Sequence, residues 1–278
     1  LATGVYAEPG DQDLSFAQHA HLFGVDAAKL TGPTPTDEET ALLNALHNHM
    51  ARHTIDNPDV NHRITSYGLA VPRAELADRG YTILEGAISE QFADELRDAI
   101  VGQMDETPSY GAAMLLERGR IFERAALHPW VVTLAESLVG RGCLLAQTTG
   151  LRHPAGRAGI GPHSDYNMIR EPFPPYAMNT TTIWALEDFT LSCGPTMVQP
   201  YSHTLGRHPT EQEKAEFTGT PILMPKGSIA MWDGALWHDQ SMRDDPGDRY
   251  TLHNTYSRMV LRPYDDYLGI DHHILDRN

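Results

Sequence analysis

The sequence predicts a mostly β protein with flanking helices, in which a double-stranded β-helix, or jelly roll, is packed on its outside by N-terminal helices. Apolar residues recur at helical spacing through the first half of the chain, whereas from Cys143 onward short apolar strands alternate with Gly and Pro turns. No linker separates the two halves. We therefore predict an N-terminal arm over 1–35 and a single domain over 36–278, with a helical part over 36–141 and a jelly-roll core over about 142–260.

Helices are predicted where a capping residue precedes apolar residues three and four positions apart. Thr36-x-x-Glu39 is a capping box that begins a helix reaching about residue 53. Ser89 caps a second helix, and Pro129, a favourable first-turn residue, begins a third that stops at Gly140. Residues 54–70, which are polar, are predicted to form a connection.

Strands are predicted where β-branched and aromatic residues lie between turn residues. Tyr81–Leu84 is a short strand within the helical half. The strands predicted in the second half are 143–149, 180–186, 196–198, 228–232 and 250–256. Antiparallel strands of this length form the two sheets of a jelly roll, with an open mouth between them.

Composition excludes several classes of function. The 278 residues include 21 basic and 37 acidic ones, and a net charge of −16 disfavours binding to nucleic acid or to anionic membranes. Cys143 and Cys193 make no disulfide framework, which fits a reducing compartment. The sequence shows neither a long apolar segment nor a signal peptide, so we predict a cytoplasmic protein, although the stretch begins at Leu1 rather than Met.

The motif on which the function depends is His163-x-Asp165. In extended backbone, residues two apart point to the same side, so this imidazole and this carboxylate can converge on one ion. With 15 His and 37 acids in 278 residues, roughly two such pairs are expected by chance, and the chain has one. Two histidines and one carboxylate form the facial triad of non-haem Fe(II) oxygenases, so the motif requires a second histidine.

His238 has the best context for that ligand, because it follows a turn, an apolar strand and a second turn over 226–237. Arg249 comes eleven residues later and begins another strand. Its planar guanidinium can bind a carboxylate through two parallel hydrogen bonds, as the distal carboxylate of 2-oxoglutarate requires. The alternative for Arg249 is a surface ion pair with Asp245 or Asp248.

The remaining histidine and tryptophan candidates have weaker contexts. Solvated or packed side chains are favoured over metal sites for His19 with His21, His49 with His53 and His272 with His273. A structural role is favoured over a chemical one for His203, Trp232 and Trp237.

These motifs resemble the phytanoyl-CoA dioxygenase-like family of Fe(II)/2-oxoglutarate oxygenases, whose core is a cupin-like jelly roll. The resemblance covers about residues 81–267 and includes the turn over 193–203, which is similar to the family's N-G-[PA]-T-x-x-x-P-G-S-H. Cys193 stands where the family usually has Asn, and Tyr201 where it has Gly. Both departures are expected to affect the loop and substrate access rather than iron binding.

The resemblance implies roles position by position. His163, Asp165 and His238 would bind Fe(II), and Arg249 would bind 2-oxoglutarate, leaving one metal position for O2. Gln147 and Thr196 would add hydrogen bonds to the cosubstrate. Related halogenases lack the carboxylate, so Asp165 favours oxygenation over halogenation.

The implied reaction is the oxidation of an unactivated C–H position, by hydroxylation, desaturation, cyclisation or epimerisation, with release of succinate and CO2. We expect a small-molecule substrate, a metabolite or natural-product scaffold, with the loop 166–179 lining its site. Arg152, Arg157 or Arg170 could pair with an acidic group on it. The alternatives are a cupin-like metal enzyme that does not use 2-oxoglutarate and a non-catalytic jelly-roll binding protein. The sequence does not define the oligomeric state.

Overall fold

A computed structural model describes residues 57–105 and 110–267. The predicted arm over 1–35, the helix begun by Thr36 and the histidine pairs near both termini lie outside these residues. None of the helices in the described ranges is both long and apolar enough to cross a lipid bilayer.

Six helices and two short 3-10 turns are present in the described part of the chain. The helices are α1 (Pro58–Ser66), α2 (Ala70–Arg79), α3 (Glu90–Asp105), α4 (Arg120–Ala126), α5 (Pro129–Val139) and α6 (Glu211–Ala215). The Ser89 hydroxyl accepts a hydrogen bond from the Phe92 amide at 3.1 Å, and α5 runs from Pro129 to a C-cap at Gly140, both as predicted.

The prediction of a polar connection over 54–70 is wrong. The side chain of Asn57 caps α1 by accepting from the amides of Asp59 and Val60, and Pro58 occupies the first helical turn. Polar residues dominate α1, which buries only Val60 and Ile64, but the Asn-Pro start signal was present in the sequence.

Nine strands within residues 57–105 and 110–267 form two antiparallel sheets. The strands are β1 (Tyr81–Leu84), β2 (Gly111–Ala112), β3 (Leu144–Pro154), β4 (Asn179–Ala185), β5 (Thr196–Val198), β6 (Thr220–Pro221), β7 (Ile229–Asp233), β8 (His238–Gln240) and β9 (Asp248–Ser257). The larger sheet has the order β1-β7-β4-β9-β3-β2 and the smaller β6-β5-β8. Each predicted strand is found, and β3 extends five residues beyond its predicted end at residue 149, to Pro154.

Alternation along β4 explains why the larger sheet has two different faces. Trp184 points outward into a core that includes Leu96 of α3 and Leu134 of α5, so the helices cover the outer face. Ile183 points inward and packs in a second core with Val198 of the smaller sheet. Part of the space between the two sheets is therefore filled by an apolar core.

Candidate active site

The two chain segments that carry the predicted metal ligands are hydrogen-bonded to each other. The amide of His163 donates to the carbonyl of His238 at 3.0 Å, and the amide of His238 donates back at 2.8 Å. The amide of Asp165 donates to the carbonyl of Gly234 at 2.7 Å. This antiparallel bridge brings the His-x-Asp segment against the start of β8 and sets the two imidazole centroids 4.4 Å apart.

The three predicted ligands converge. One ligand atom from each of His163, Asp165 and His238 lies within 4.8 Å of the other two. The Nδ1 of His163 is 2.8 Å from the Gly161 carbonyl, and the Nδ1 of His238 is 2.9 Å from the Leu236 carbonyl. A carbonyl only accepts, so both Nδ1 atoms donate and both Nε2 lone pairs remain available for a metal.

The carboxylate of Asp165 is oriented by two donors on the facing sheet. Its Oδ2 accepts from the Thr181 hydroxyl at 2.8 Å and from the Trp232 indole N–H at 3.1 Å. Its Oδ1 lies 3.6 Å from the Nε2 of His238. Because Oδ2 is occupied by these donors, the carboxylate presents Oδ1 as a single metal-binding oxygen.

The electrostatics of the triad match the protonation states that a metal needs. Burial raises the pKa of Asp165, but the two imidazoles and the donors Thr181 and Trp232 outweigh it and hold that pKa below its usual value. Burial and the neighbouring His238 lower the pKa of His163. Near neutral pH the site therefore offers an ionised carboxylate beside the neutral imidazole of His163.

Arg249 lies on β9 and its side chain is 1% exposed, so the alternative of a surface ion pair is wrong. Asp248 instead pairs with Arg152 at 2.8 Å. The Arg249 guanidinium stacks on the Phe189 ring, 4.4 Å from its centroid, and Nη1 donates to the sulfur of Cys193 at 3.7 Å. Its Nε is buried and has no hydrogen-bond partner.

The acidic residue near this guanidinium is already paired. Glu187 accepts from Arg243 at 2.8 Å, and no ion pair within the described ranges includes Arg249. An unpaired buried cation is costly, and the cost is relieved when an anion binds. Arg249 therefore fits the carboxylate of an organic acid, and the triad fits a divalent first-row metal.

Cys193 contacts the guanidinium of Arg249 directly. The sequence comparison predicted that its departure from the family's Asn would act on a loop, but the thiol contacts the guanidinium. Tyr201, the other departure, adopts a left-handed backbone with φ of 69°, the conformation that the family's Gly adopts without strain.

A cavity of about 390 Å³ connects the triad to both sheets. It is lined by His163, Asp165 and His238, and by Thr196 of β5. His153 also lines it, and this residue is the cross-strand neighbour of Arg249. Arg249 is thus next to a cavity-lining residue, although it does not itself line the cavity.

The structure brings Thr196 into this cavity but not Gln147. Gln147 pairs with Thr255 across β3 and β9, so it shares the inner face of the larger sheet. The cavity wall on β3 begins only at Leu151. The role of Gln147 toward the cosubstrate therefore stays a prediction.

The loop 166–179, predicted to line the substrate site, does not line this cavity. Tyr166 and Phe173 pack with Ala235 in a small separate core. The hydroxyl of Tyr166 accepts from the Met178 amide at 2.7 Å, which folds the loop back on itself. Residues 157–160, which precede the metal ligands in the sequence, line the cavity instead. We call these four residues the wall segment.

Sequence reasoning missed several side chains at the site. The sequence predicted only a strand position for Thr181 and a structural role for Trp232, whereas both side chains donate hydrogen bonds to Asp165. His253 also lines the cavity, and its burial lowers its pKa to about 4. Strand periodicity was a usable signal, because Thr181 and His253 belong to the inward-facing set of β4 and β9.

Gly159 explains how closely the wall segment fits against β8. Its amide donates to the carbonyl of Gln240 at 3.0 Å, and a Cβ at this position would lie 2.1 Å from the Asp239 carboxylate. The amide of Gly161 donates to that same carboxylate at 3.1 Å. Only glycine allows this approach, so the wall and the strand of His238 form one unit.

A jelly roll that brings a His-x-Asp pair and a second His within 4.8 Å of one another presents the facial triad of non-haem Fe(II) sites. The chain belongs to the phytanoyl-CoA dioxygenase (PhyH) family, whose profile matches residues 39–241. The resemblance inferred from the motifs is thereby confirmed.

Two curated relatives are uncharacterised proteins, Rv1501 of Mycobacterium tuberculosis and Mb1539 of Mycobacterium bovis. Each is 23% identical over 144 residues, which is 50% of this chain and 52% of the relative. The chain therefore spans about half the length of the curated relatives it matches.

Two solved structures share the fold. HygX from Streptomyces hygroscopicus with nickel and 2-oxoglutarate bound matches with a TM-score of 0.61 at 15% identity, over 70% of this chain and 89% of HygX. The epimerase SnoN in complex with Fe3+, alpha ketoglutarate and nogalamycin RO also gives 0.61, at 18% identity over 74% of this chain and 92% of SnoN. These similarities confirm the predicted jelly-roll class.

Proposed function

We propose that this chain is an Fe(II)/2-oxoglutarate-dependent oxygenase that oxidises an unactivated C–H position of a small metabolite or natural-product scaffold, with release of succinate and CO2. The observation that carries the proposal is the convergence of His163, Asp165 and His238 within 4.8 Å, close to a buried arginine that lacks a counter-ion. Neither feature stabilises the protein by itself, since each leaves polar atoms that only a ligand satisfies.

The protein residues have separate tasks. His163 and His238 would each supply a lone pair at Nε2, and Asp165 one oxygen at Oδ1. Thr181 and Trp232 hold the Asp165 carboxylate in that orientation through its other oxygen. Arg249 would bind the far carboxylate of 2-oxoglutarate, and Thr196, which lines the cavity, would add a hydroxyl. The bound iron and cosubstrate, together with O2, would supply the oxidising chemistry.

The cavity supports a small substrate. Its volume of about 390 Å³ lies near the lower end of the roughly 300–1,000 Å³ typical of small-molecule sites, and the cosubstrate would fill part of it. A scaffold of modest size therefore fits better than an acyl-CoA. The structural neighbour HygX was crystallised with 2-oxoglutarate, which supports the proposed cosubstrate.

The experiment is an anaerobic incubation with Fe(II), 2-oxoglutarate and a metabolite extract, followed by exposure to O2. Mass spectrometry should find a product heavier by one oxygen or lighter by two hydrogens, together with succinate. His163→Ala and Asp165→Ala should abolish both signals in a folded protein, whereas His62→Ala, at an exposed helical histidine, should retain them.

Two outcomes would replace the proposal. Product formation without added 2-oxoglutarate would indicate a cupin-like metal enzyme. Failure to bind Fe(II) anaerobically would indicate a non-catalytic binding protein.

Epimerisation is a second candidate reaction, because SnoN is an epimerase of the same fold. An epimer has the mass of its substrate, so chiral chromatography of the same samples would separate this outcome. Succinate release without any mass-shifted product would favour it.

A further inference from the structure

We infer that Arg157, stacked on Tyr110, binds a carboxylate of the substrate, so that the substrate is a small organic acid with an apolar body. This inference rests on the proposed function and specifies the substrate class of the same site. Three arginines were candidates for such a contact from sequence, and the structure distinguishes among them.

Arg152 and Arg170 are unsuitable. Arg152 lines the cavity, but its guanidinium pairs with Asp248, its Nε lying 2.8 Å from the carboxylate. Arg170 is exposed and lies outside the cavity wall. Arg157 lines the cavity, and no ion pair within residues 57–105 and 110–267 includes it.

The guanidinium of Arg157 is held in place but left unsatisfied. It lies over the ring of Tyr110, with Cζ 3.5 Å from the ring centroid. Stacking uses the face of the guanidinium and leaves the N–H groups at its edge free. Its Nη1 is buried and has no hydrogen-bond partner.

The backbone around Arg157 is fixed as well. Its carbonyl accepts from the Arg243 amide at 3.2 Å, and the amide of Gly156 donates to the Arg243 carbonyl at 2.8 Å. The carbonyl of Tyr110 accepts from the Arg152 amide at 2.9 Å, which holds the ring against β3. The cation is therefore pre-organised, which reduces the entropy lost when a ligand binds.

The surroundings separate this cation from Arg249. Arg249 is 1% exposed, whereas Arg157 lies beside Tyr110 and Ile160, which are 58% and 83% exposed. Leu151, 37% exposed, completes an apolar rim. An acid with an apolar body would place its carboxylate on Arg157 and its body against this rim, while 2-oxoglutarate uses the deeper arginine. Asp239 also lines the cavity, but its Oδ1 accepts from the Gly161 amide at 3.1 Å.

The test uses Mn(II)-loaded enzyme saturated with 2-oxoglutarate under argon and two probes of the same shape, 3-phenylpropionate and 3-phenylpropionamide. Affinities are measured by calorimetry, and proton line broadening by Mn(II) shows that each probe binds near the metal. Wild type should bind the acid roughly ten- to a hundredfold more tightly than the amide, as expected for a charge-assisted pair. Arg157→Gln should remove that preference and change the affinity for 2-oxoglutarate less than about twofold.

Matched variants make the result specific. Arg152→Gln removes the same charge from a neighbouring cavity-lining residue whose guanidinium is already paired with Asp248, and it should keep the preference. Arg157→Lys should keep only part of it because Lys lacks the planar fork. Wild type that binds the cosubstrate but treats both probes alike overturns this inference alone. An Arg157→Gln variant that loses 2-oxoglutarate binding would assign the residue to the cosubstrate instead. Wild type that binds neither Mn(II) nor 2-oxoglutarate overturns the proposed function and this inference with it.

Discussion

Arg249→Met should make the protein more stable and at the same time weaken its binding of 2-oxoglutarate. Arg249 is 1% exposed, its Nε has no partner, and burial lowers its pKa. Methionine has a similar stem and no charge to desolvate, so we expect the free energy of unfolding without ligand to rise by about 1–3 kcal/mol. For a chain of this size, that increase corresponds to roughly 2–10 °C in melting temperature.

The stabilisation that 2-oxoglutarate gives to the protein should decrease in the same variant. Loss of a buried charged partner weakens binding by at least about 2 kcal/mol, or roughly thirtyfold in dissociation constant. Wild type at a hundredfold excess of 2-oxoglutarate over its dissociation constant should gain about 2.7 kcal/mol, and the variant at the same concentration should gain no more than about 0.9 kcal/mol. Thermal unfolding followed by circular dichroism, with Mn(II) and with or without 2-oxoglutarate, measures both effects. Arg249→Lys is the control, since it keeps the charge and should show no comparable gain without ligand. An Arg249→Met protein that melts below wild type, or that 2-oxoglutarate stabilises as much as wild type, would refute the reasoning.

Three further predictions follow from the contacts described above. Trp232→Phe removes one donor to Asp165 and should weaken Mn(II) binding roughly 10- to 100-fold by calorimetry, with an unchanged circular dichroism spectrum; unchanged affinity would show that Thr181 alone orients the carboxylate. Burial and the nearby Arg249 lower the pKa of His153 from 6.5 to about 4. Between these two pH values His153 is protonated in the unfolded chain but not in the folded protein, so wild type should lose stability as pH falls from 6.5 toward 4. His153→Asn should remove about 1–3 kcal/mol of that loss in urea unfolding at pH 7 and pH 4.5, while His62→Asn at an exposed site should leave it, and equal losses in all three proteins would contradict the assignment. Tyr201→Gly relieves a left-handed backbone that costs about 1–2 kcal/mol but adds unfolded-chain entropy, so a net gain of up to about 1 kcal/mol is expected in the same assay, and a clear loss would show that the exposed ring contributes packing.

The fold was predictable from sequence where the signals were local. Pro129 and Gly140 marked the ends of α5, and Ser89 marked the start of α3, because capping chemistry depends only on neighbours. Helix α1 was not predicted because its nine residues include only two large apolar ones, Val60 and Ile64, although Asn57 and Pro58 form a helix-start signal. The extension of β3 to Pro154 depends on pairing with β9, which no single segment reveals.

The site was predictable where spacing carries chemistry, and it was hidden where contacts cross the sheets. His163, Asp165 and His238 were recovered because the backbone and two turns fix their directions. Thr181 and Trp232 reach Asp165 from strands that the sequence does not place opposite it. The residues that line the cavity were predicted wrongly for the same reason. Composition favoured the loop after Asp165, whereas residues before His163 line the cavity.

The close fit of Gly159 against β8 has an evolutionary consequence. In many enzymes the residues that choose a substrate lie on loops that vary freely while the reactive centre stays intact. Here the segment around residues 157–160, which we propose contacts the substrate, is hydrogen-bonded to the strand that begins at His238. Insertions or deletions within residues 157–160 should therefore alter metal affinity as well, and new specificities in this lineage would have to arise by exchanging side chains on a fixed backbone.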